Sequence, residues 1–331
     1  ILCGSDLSEF HTGYRGYTTK FLKSIPFELN SDDFHFDTEI LLQAFHAGSN
    51  IEEFPIPTHY GNEICRVPTY RYLLNVLIEC LRYRLQVFGL LTSIKYPHSS
   101  NKVYVNRTDD PYSVNSIVQA LICQGEAIRQ TKDILDIGCG AGYLAEDLTS
   151  MSFNVTTIDK FEPTASSQER HILMDLDIDP WTIDITQYDV ILALDIVEHL
   201  NNPERFLLDL RNYMRSDRRP IIYLSTPNVG FFLVRIGLLL GRFSYADRGI
   251  LDITHKRLFT LSSLRKLLKD TGYEIKIQKG IGPPILVFGR NPLYRALAGA
   301  FNGLARLFPR LFAFQFLIVA EPKVTIYRIL V

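Results

Sequence analysis

The stretch ILDIGCGAGYLAEDL, residues 134–148, constrains this chain more than any other. An apolar, strand-like run enters a turn carrying Gly138, Gly140 and Gly142, and a helical pattern begins at once. Glycines let a backbone turn tightly and approach a ligand closely, while the N-terminus of the next helix presents free N–H groups. The alternation continues downstream. NVTTID, YDVILAL and PIIYLST read as strands, and AGYLAEDLTSM and PERFLLDLRNYM between them read as helices. Such a pattern predicts an α/β fold with a doubly wound sheet. Farther on, LSSLRKLLKDTG and NPLYRALAGAFNGLARLF read as helices, with YEIKIQKG and FAFQFLIVAEP as strands.

Charged residues fall at the ends of these runs. Asp136 precedes the glycines, and Asp159 closes the second strand ~20 residues on, where an acid can hold ribose hydroxyls. That geometry suits NAD or S-adenosylmethionine equally. After the fourth strand, ALDIVEHL sets Asp195, Glu198 and His199 at i, i+3, i+4 spacing, one face of a helical turn. The stretch lies at the carboxyl edge of the predicted sheet, where such folds bind ligands. His255, in ITHKRLFT after the fifth strand, can fold over the same place. Three readings stand for this group. The residues hold Mg²⁺, Mn²⁺ or a similar ion through mixed oxygen and nitrogen ligands. Or His199 and His255, with Glu198, act as acid, base or orienting groups without metal. Or they only tie the loop to neighbouring backbone. Asn202 has a structural reading, as the cap of a helix opening on Pro203 and Glu204.

The order DIGCGAG, then Asp175 in LMDLD, YDVILALDIVEHL, STPN and HKRLFT resembles the class I S-adenosylmethionine-dependent methyltransferases over about Tyr112 to Pro322. The resemblance implies a Rossmann-like, seven-stranded methyltransferase sheet. It implies that Gly138, Gly140 and Gly142 border the methionine end of the cofactor, with Asp136 at its amino group and Asp159 at its ribose. Asp175 and Leu176 are then expected at the adenine, and Asp195 beside the cofactor. Small-RNA 2′-O-methyltransferases and ubiquinone-pathway O-methyltransferases carry a similar E-x-x-E-H cluster and use a divalent ion. Here Asp195 stands in place of their first Glu, and its shorter arm weighs against a complete four-ligand site.

The chain before this region differs in character. FDTEILLQAFHAG and TYRYLLNVLIECLRYRLQVFGLL read as amphipathic helices and IEEFPIP as a short strand broken by prolines. Asp32 and Asp33 read as caps at a helix start. SEFHTGYRGYTTKF and the run to about Leu91 resemble the C-terminal part of family 2 glycosyltransferases of the polyprenyl-phosphate sugar transferase type. Their nucleotide-binding half and its D-x-D motif have no counterpart here, so the expectation is a partial GT-A segment. By that resemblance Arg15 faces donor phosphates, and Asp37 and Glu39 lie near an acceptor. The expected division is 1–91 for this segment, 92–111 for a polar linker and 112–331 for the methyltransferase domain.

Composition limits the function classes. Formal net charge is -1 at pH 7, so nothing suggests a general electrostatic grip on nucleic acid, and RNA methylation is the weaker alternative. The five cysteines have no paired spacing, which fits a reduced, cytoplasmic setting. No apolar run reaches the ~20 residues of a spanning helix. The apolar, arginine-bearing stretches around Arg235, Arg242, Arg295, Arg306 and Arg310 suit a lid, a hydrophobic acceptor or a membrane surface. With no initiator Met, the chain reads as a piece of a longer glycosyltransferase–methyltransferase fusion. Such a fusion belongs to a cell-surface glycan pathway, with a glycan or lipid-linked sugar as methyl acceptor; glycosyl transfer as the main activity is the alternative.

Overall fold

The structure, a computed structural model, describes residues 7, 14–57, 69–87, 93–96, 110–124, 133–165, 170–181, 183–213, 220–246 and 248–323. The chain divides into two compact units, 1–102 with 244–253, and 103–243 with 254–331. The boundary near residue 102 falls inside the expected 92–111 linker. The ten residues from Ser244 to Ile253, expected within the methyltransferase domain, group with the first unit.

The first unit is helical among the described residues. Helix α1 spans Thr19–Ser24, capped by the Thr18 hydroxyl, which accepts the Phe21 N–H at 3.2 Å. Helices α2 (Phe36–His46) and α3 (Thr69–Val87) follow, and Leu42, Tyr83 and Tyr96 form a small buried cluster. Gln43 and Gln86 pin the 93–96 segment by donating to the carbonyls of Lys95 (3.0 Å) and Tyr96 (2.8 Å). Two local expectations fail. Ile51–Pro57 forms no strand, as its two prolines, lacking N–H donors, allow. The residue before α2 is His35, with no side-chain cap, and Asp33 contributes its backbone carbonyl to the Phe36 N–H instead. The glycosyltransferase-like residues 8–13 and most of the linker lie outside the described residues.

The second unit is a seven-stranded sheet. Helix α4 (Val114–Gln124) leads into β1 (Asp133–Ile137), α5 (Tyr143–Ser150), β2 (Asn154–Asp159), β3 (His171–Leu173), β4 (Val190–Leu194), α6 (Pro203–Tyr213) and β5 (Ile221–Pro227). Then come α7 (Phe232–Leu239), α8 (Leu261–Asp270), β6 (Tyr273–Ile281), α9 (Pro292–Leu307), α10 (Pro309–Phe312) and β7 (Gln315–Pro322). The strand order is β3-β2-β1-β4-β5-β7-β6. The first five strands are parallel, and β7 lies antiparallel between β5 and β6.

Period-2 alternation feeds two layers. Leu135, Ile137, Ile191, Ala193, Ile222, Leu224 and Ile318 belong to one core with α6 and α8. Ile134, Val190, Leu192, Tyr223 and Val319 belong to the other with α4 and α5. Both faces are covered, which explains why the strands read as unbroken apolar runs. The three-residue β3 is too short to give a pattern of its own. Asn202 caps α6, its Oδ1 accepting the Arg205 N–H at 2.9 Å. The order reverses between β1 and β4, so a crevice opens beyond their carboxyl ends, the place where open α/β sheets bind ligands. No described helix is long and apolar enough to cross a membrane.

Candidate active site

Residues from the ends of β1, β2 and β4 converge at this crevice. Gly138, Gly140 and Gly142 all take left-handed φ, of 75°, 56° and 83°, and Gly142 opens α5. At Gly138 a side chain has neither the φ nor the room, since Ile196 packs against it. The loop is pinned to β2: the Gly138 N–H donates to the Ile158 carbonyl at 2.7 Å, and the Gly140 N–H to Asp159 Oδ2 at 2.9 Å. Asp159 also accepts the Phe161 N–H through Oδ1 at 3.1 Å, so its carboxylate is fixed at the strand's end.

Asp136 is buried at the last turn of β1, and burial, with the nearby Asp159 charge, pushes its carboxyl up to about 7. A carboxylate so desolvated favours a cationic partner, and the ammonium of an amino acid moiety is one. Asp175 Oδ1 accepts the Asp177 N–H at 2.9 Å, and the Asp175 N–H donates to Asp179 Oδ2 at 2.7 Å. The loop after β3 is thus built of its own acids, with Leu176 packed against the core.

The ALDIVEHL segment divides its residues between two places. Asp195 takes φ 52°, a conformation Asp tolerates better than most residues. Its N–H donates to the Ser225 carbonyl at 3.2 Å, and its Oδ1 accepts the Ser225 hydroxyl at 2.7 Å and the Gln315 amide. Glu198, His199 and His255 gather elsewhere, with one ligand atom from each lying within 4.8 Å of the others; Asp195 is outside that group. The turn forms as expected, but the short, left-handed Asp195 faces β5 and β7.

Glu198 is buried, and its carbonyl accepts the N–H groups of Lys256 (2.8 Å) and Arg257 (3.0 Å), which brings the His255 loop over the post-β4 turn. The imidazoles of His199 and His255 meet edge to face with centroids 4.8 Å apart. His199 Nδ1 lies 3.2 Å from the Thr254 carbonyl. The same Nδ1 lies 3.3 Å from the Thr254 hydroxyl, so Thr254 meets the ring with both its carbonyl and its side chain. Three ligands held at about 2.1 Å by one ion lie about 3–4 Å apart, so the trio would have to draw closer to hold a divalent cation.

Ser225, Thr254, Ile196 and Gln315 were not among the expected site residues. Ser225 lies in the STPN motif, so a signal existed for it. Gln315 comes beside Pro227 only through the antiparallel β5–β7 register, which no local pattern announces. In the first unit, Arg15 Nη1 donates to the Asp37 carbonyl at 3.0 Å, bringing two of the three candidate residues together. Glu39 is buried, paired with Lys95 and accepting the Ser31 N–H at 2.6 Å.

Known proteins resemble this chain. It is 26% identical over 181 residues to the ubiquinone biosynthesis O-methyltransferase of Rickettsia akari, covering 52% of the chain and 70% of that relative. It is 30% identical over 158 residues to the protein of that name in Rickettsia felis, covering 45% and 63%. The chain therefore spans about two thirds of these relatives' length. Among solved structures, a SAM-dependent methyltransferase from Archaeoglobus fulgidus aligns with 65% of this chain and 97% of its own, at TM-score 0.42 and 18% identity. Residues 110–277 match the sequence profile of a family described as Methyltransferase domain, and residues 1–109 lie outside it. With its glycine loop, acidic strand ends and seven-stranded sheet, the chain belongs to the S-adenosylmethionine-dependent methyltransferase family.

Proposed function

We propose that the chain methylates an oxygen of a bulky acceptor, a glycan or lipid-linked sugar, at the crevice beyond β1 and β4. The observation that carries this reading is the His199–His255 pair, which supplies a proton acceptor beside the crevice. The cofactor's sulfonium methyl is already activated, so the protein mainly has to hold an acceptor oxygen in line with it. As that oxygen attacks, the carbon–sulfur bond breaks, S-adenosylhomocysteine leaves and the hydroxyl proton passes to an imidazole nitrogen. The Rickettsia relatives, named for O-methylation, support oxygen as the nucleophile. A divalent ion, where bound, would be held by Glu198, His199 and His255 and would acidify a coordinated hydroxyl.

An apolar acceptor is supported by α7 and the α9–α10 segment. Phe232 packs on Phe301 and Phe312, and Arg235 Nη2 donates to the Arg310 carbonyl at 2.9 Å. Beyond these contacts Leu239 and Leu307 are 87% and 74% exposed. Stretches 229–243 and 291–314 contain arginines and no acidic residue. That combination suits peripheral contact with an anionic membrane surface.

For the first unit we infer an acceptor-side segment of a glycosyltransferase, on the sequence pattern and the contact of Arg15 with the Asp37 carbonyl. The test of the main reading is transfer of a labelled methyl group from S-adenosylmethionine to a polyprenyl-phosphate-linked glycan extract. Label entering the glycolipid supports it; a protein that binds S-adenosylhomocysteine yet labels no glycolipid sinks it.

A further inference from the structure

The Asp177 side chain joins the loop after β3 to both histidine-bearing loops. Its Oδ1 accepts the Asn201 N–H at 2.9 Å, and its Oδ2 accepts the Asn201 side-chain amide at 3.0 Å and Lys256 Nζ at 2.7 Å. Asn201 stands two residues past His199, and Lys256 directly follows His255. The Asp177 side chain is 16% exposed, so these charge-assisted bonds are partly shielded from water.

The loop that carries Asp177 is tied in turn to the cofactor side of the crevice. The Met174 N–H donates to the Asp159 carbonyl at 2.9 Å, at the end of β2. The Asp177 N–H donates to Asp175 Oδ1, and Asp175 and Asp179 hold the rest of the turn. A ligand that orders the ends of β2 and β3 therefore orders Asp177. Asp177 in turn orders the backbone immediately after each imidazole.

We propose that Asp177 is a positioning residue, holding His199 and His255 in register with the cofactor through Asn201 and Lys256. It makes assembly of the acceptor-side pair depend on cofactor occupancy of the loop after β3. The inference rests on the reading of the imidazoles as acceptor-side groups. Its test uses no acceptor, however, so the two can fail separately.

The test is backbone hydrogen exchange of peptides covering 196–202 and 252–258, with and without saturating S-adenosylhomocysteine, alongside calorimetric binding of that product. In the wild-type protein, S-adenosylhomocysteine should slow exchange at Lys256 and Arg257 about tenfold or more, reporting closure of the bonds to the Glu198 carbonyl. In Asp177→Ala and Asp177→Asn the affinity should stay within about threefold while this slowing falls below about twofold. Lys256→Met, at a half-exposed side chain that tolerates change, should reproduce the loss and carries the test should Asp177→Ala not fold. Slowing that survives in Asp177→Asn or Lys256→Met overturns the proposal, as does its absence in the wild type. A fall in affinity of more than about tenfold in folded Asp177→Asn also overturns it, because Asp177 would then be a cofactor contact.

Discussion

A β-carbon placed on Gly138 would lie 2.9 Å from Cδ1 of Ile196, two residues past the end of β4. The glycine loop after β1 and the turn after β4 are therefore packed without space between them. The isoleucine leaves room only for hydrogen at position 138.

Gly138→Ala should expose that contact. The residue has φ 75°, so alanine there adds backbone strain to a clash with Ile196. The expected loss is about 1–3 kcal/mol of stability, with weakened S-adenosylhomocysteine binding. The pair Gly138→Ala with Ile196→Val should recover part of the binding. Thermal melts and calorimetry on the two variants check both points; a single variant that binds normally contradicts the packing argument.

Asp136 gives a pH dependence with a definite sign. Its folded carboxyl is raised to about 7 by burial and by Asp159, so the folded state holds a proton that the unfolded chain releases near pH 4. The stability linked to that proton is full below about pH 4 and is lost as pH rises through about 7. Asp136→Asn should therefore stabilise the ligand-free protein by roughly 4 kcal/mol at pH 8 and by less than about 1 kcal/mol at pH 4. Binding should show the reverse. With Asp136 taken as the partner of the amino group of S-adenosylhomocysteine, binding needs its charged form, and affinity should fall about tenfold or more from pH 8 to pH 5.5. In the Asn variant binding should be weak at both values. Denaturant melts and calorimetry at three pH values decide it.

These two residues also show what the sequence makes legible. A strand, a glycine turn and an acid before it are local, so Gly138 and Asp136 could be found by reading along the chain. His199 comes directly after β4, whereas His255 comes after β5 and α7, so their pairing depends on how that longer connection folds. The surroundings of Asp195 are less legible: spacing aligns it with Glu198, but its left-handed backbone turns it to Ser225 and Gln315. Gln315 and Asp177 act through register and loop packing between segments far apart in sequence. The strand β3 is too short for a period to register, and at Ile51–Pro57 two prolines outweigh the apolar pattern of a strand.

The metal reading separates these neighbours experimentally. Manganese binding measured by calorimetry should weaken at least about tenfold in Glu198→Gln, His199→Ala or His255→Ala. Asp195→Asn should change it less than about twofold, since Asp195 lies outside the trio. Equal losses in all four variants would return Asp195 to the ligand set. No manganese binding in the wild type would leave the imidazoles as the proton acceptors.

The membrane reading makes the last prediction. Vesicles containing phosphatidylglycerol should bind the protein, and those of phosphatidylcholine alone should bind it more weakly, because exposed leucines lie among Arg235, Arg242, Arg295, Arg306 and Arg310. Leu239→Glu and Leu307→Glu remove apolar surface and add repulsion toward the anionic lipid. Together they should lower vesicle partitioning by about tenfold or more, while S-adenosylhomocysteine affinity stays within about twofold. Added salt should weaken the wild-type interaction only in part, because apolar burial is not screened. Sedimentation with vesicles at two salt concentrations reads all of these, and equal binding to both lipid compositions would count against a charge-assisted membrane face.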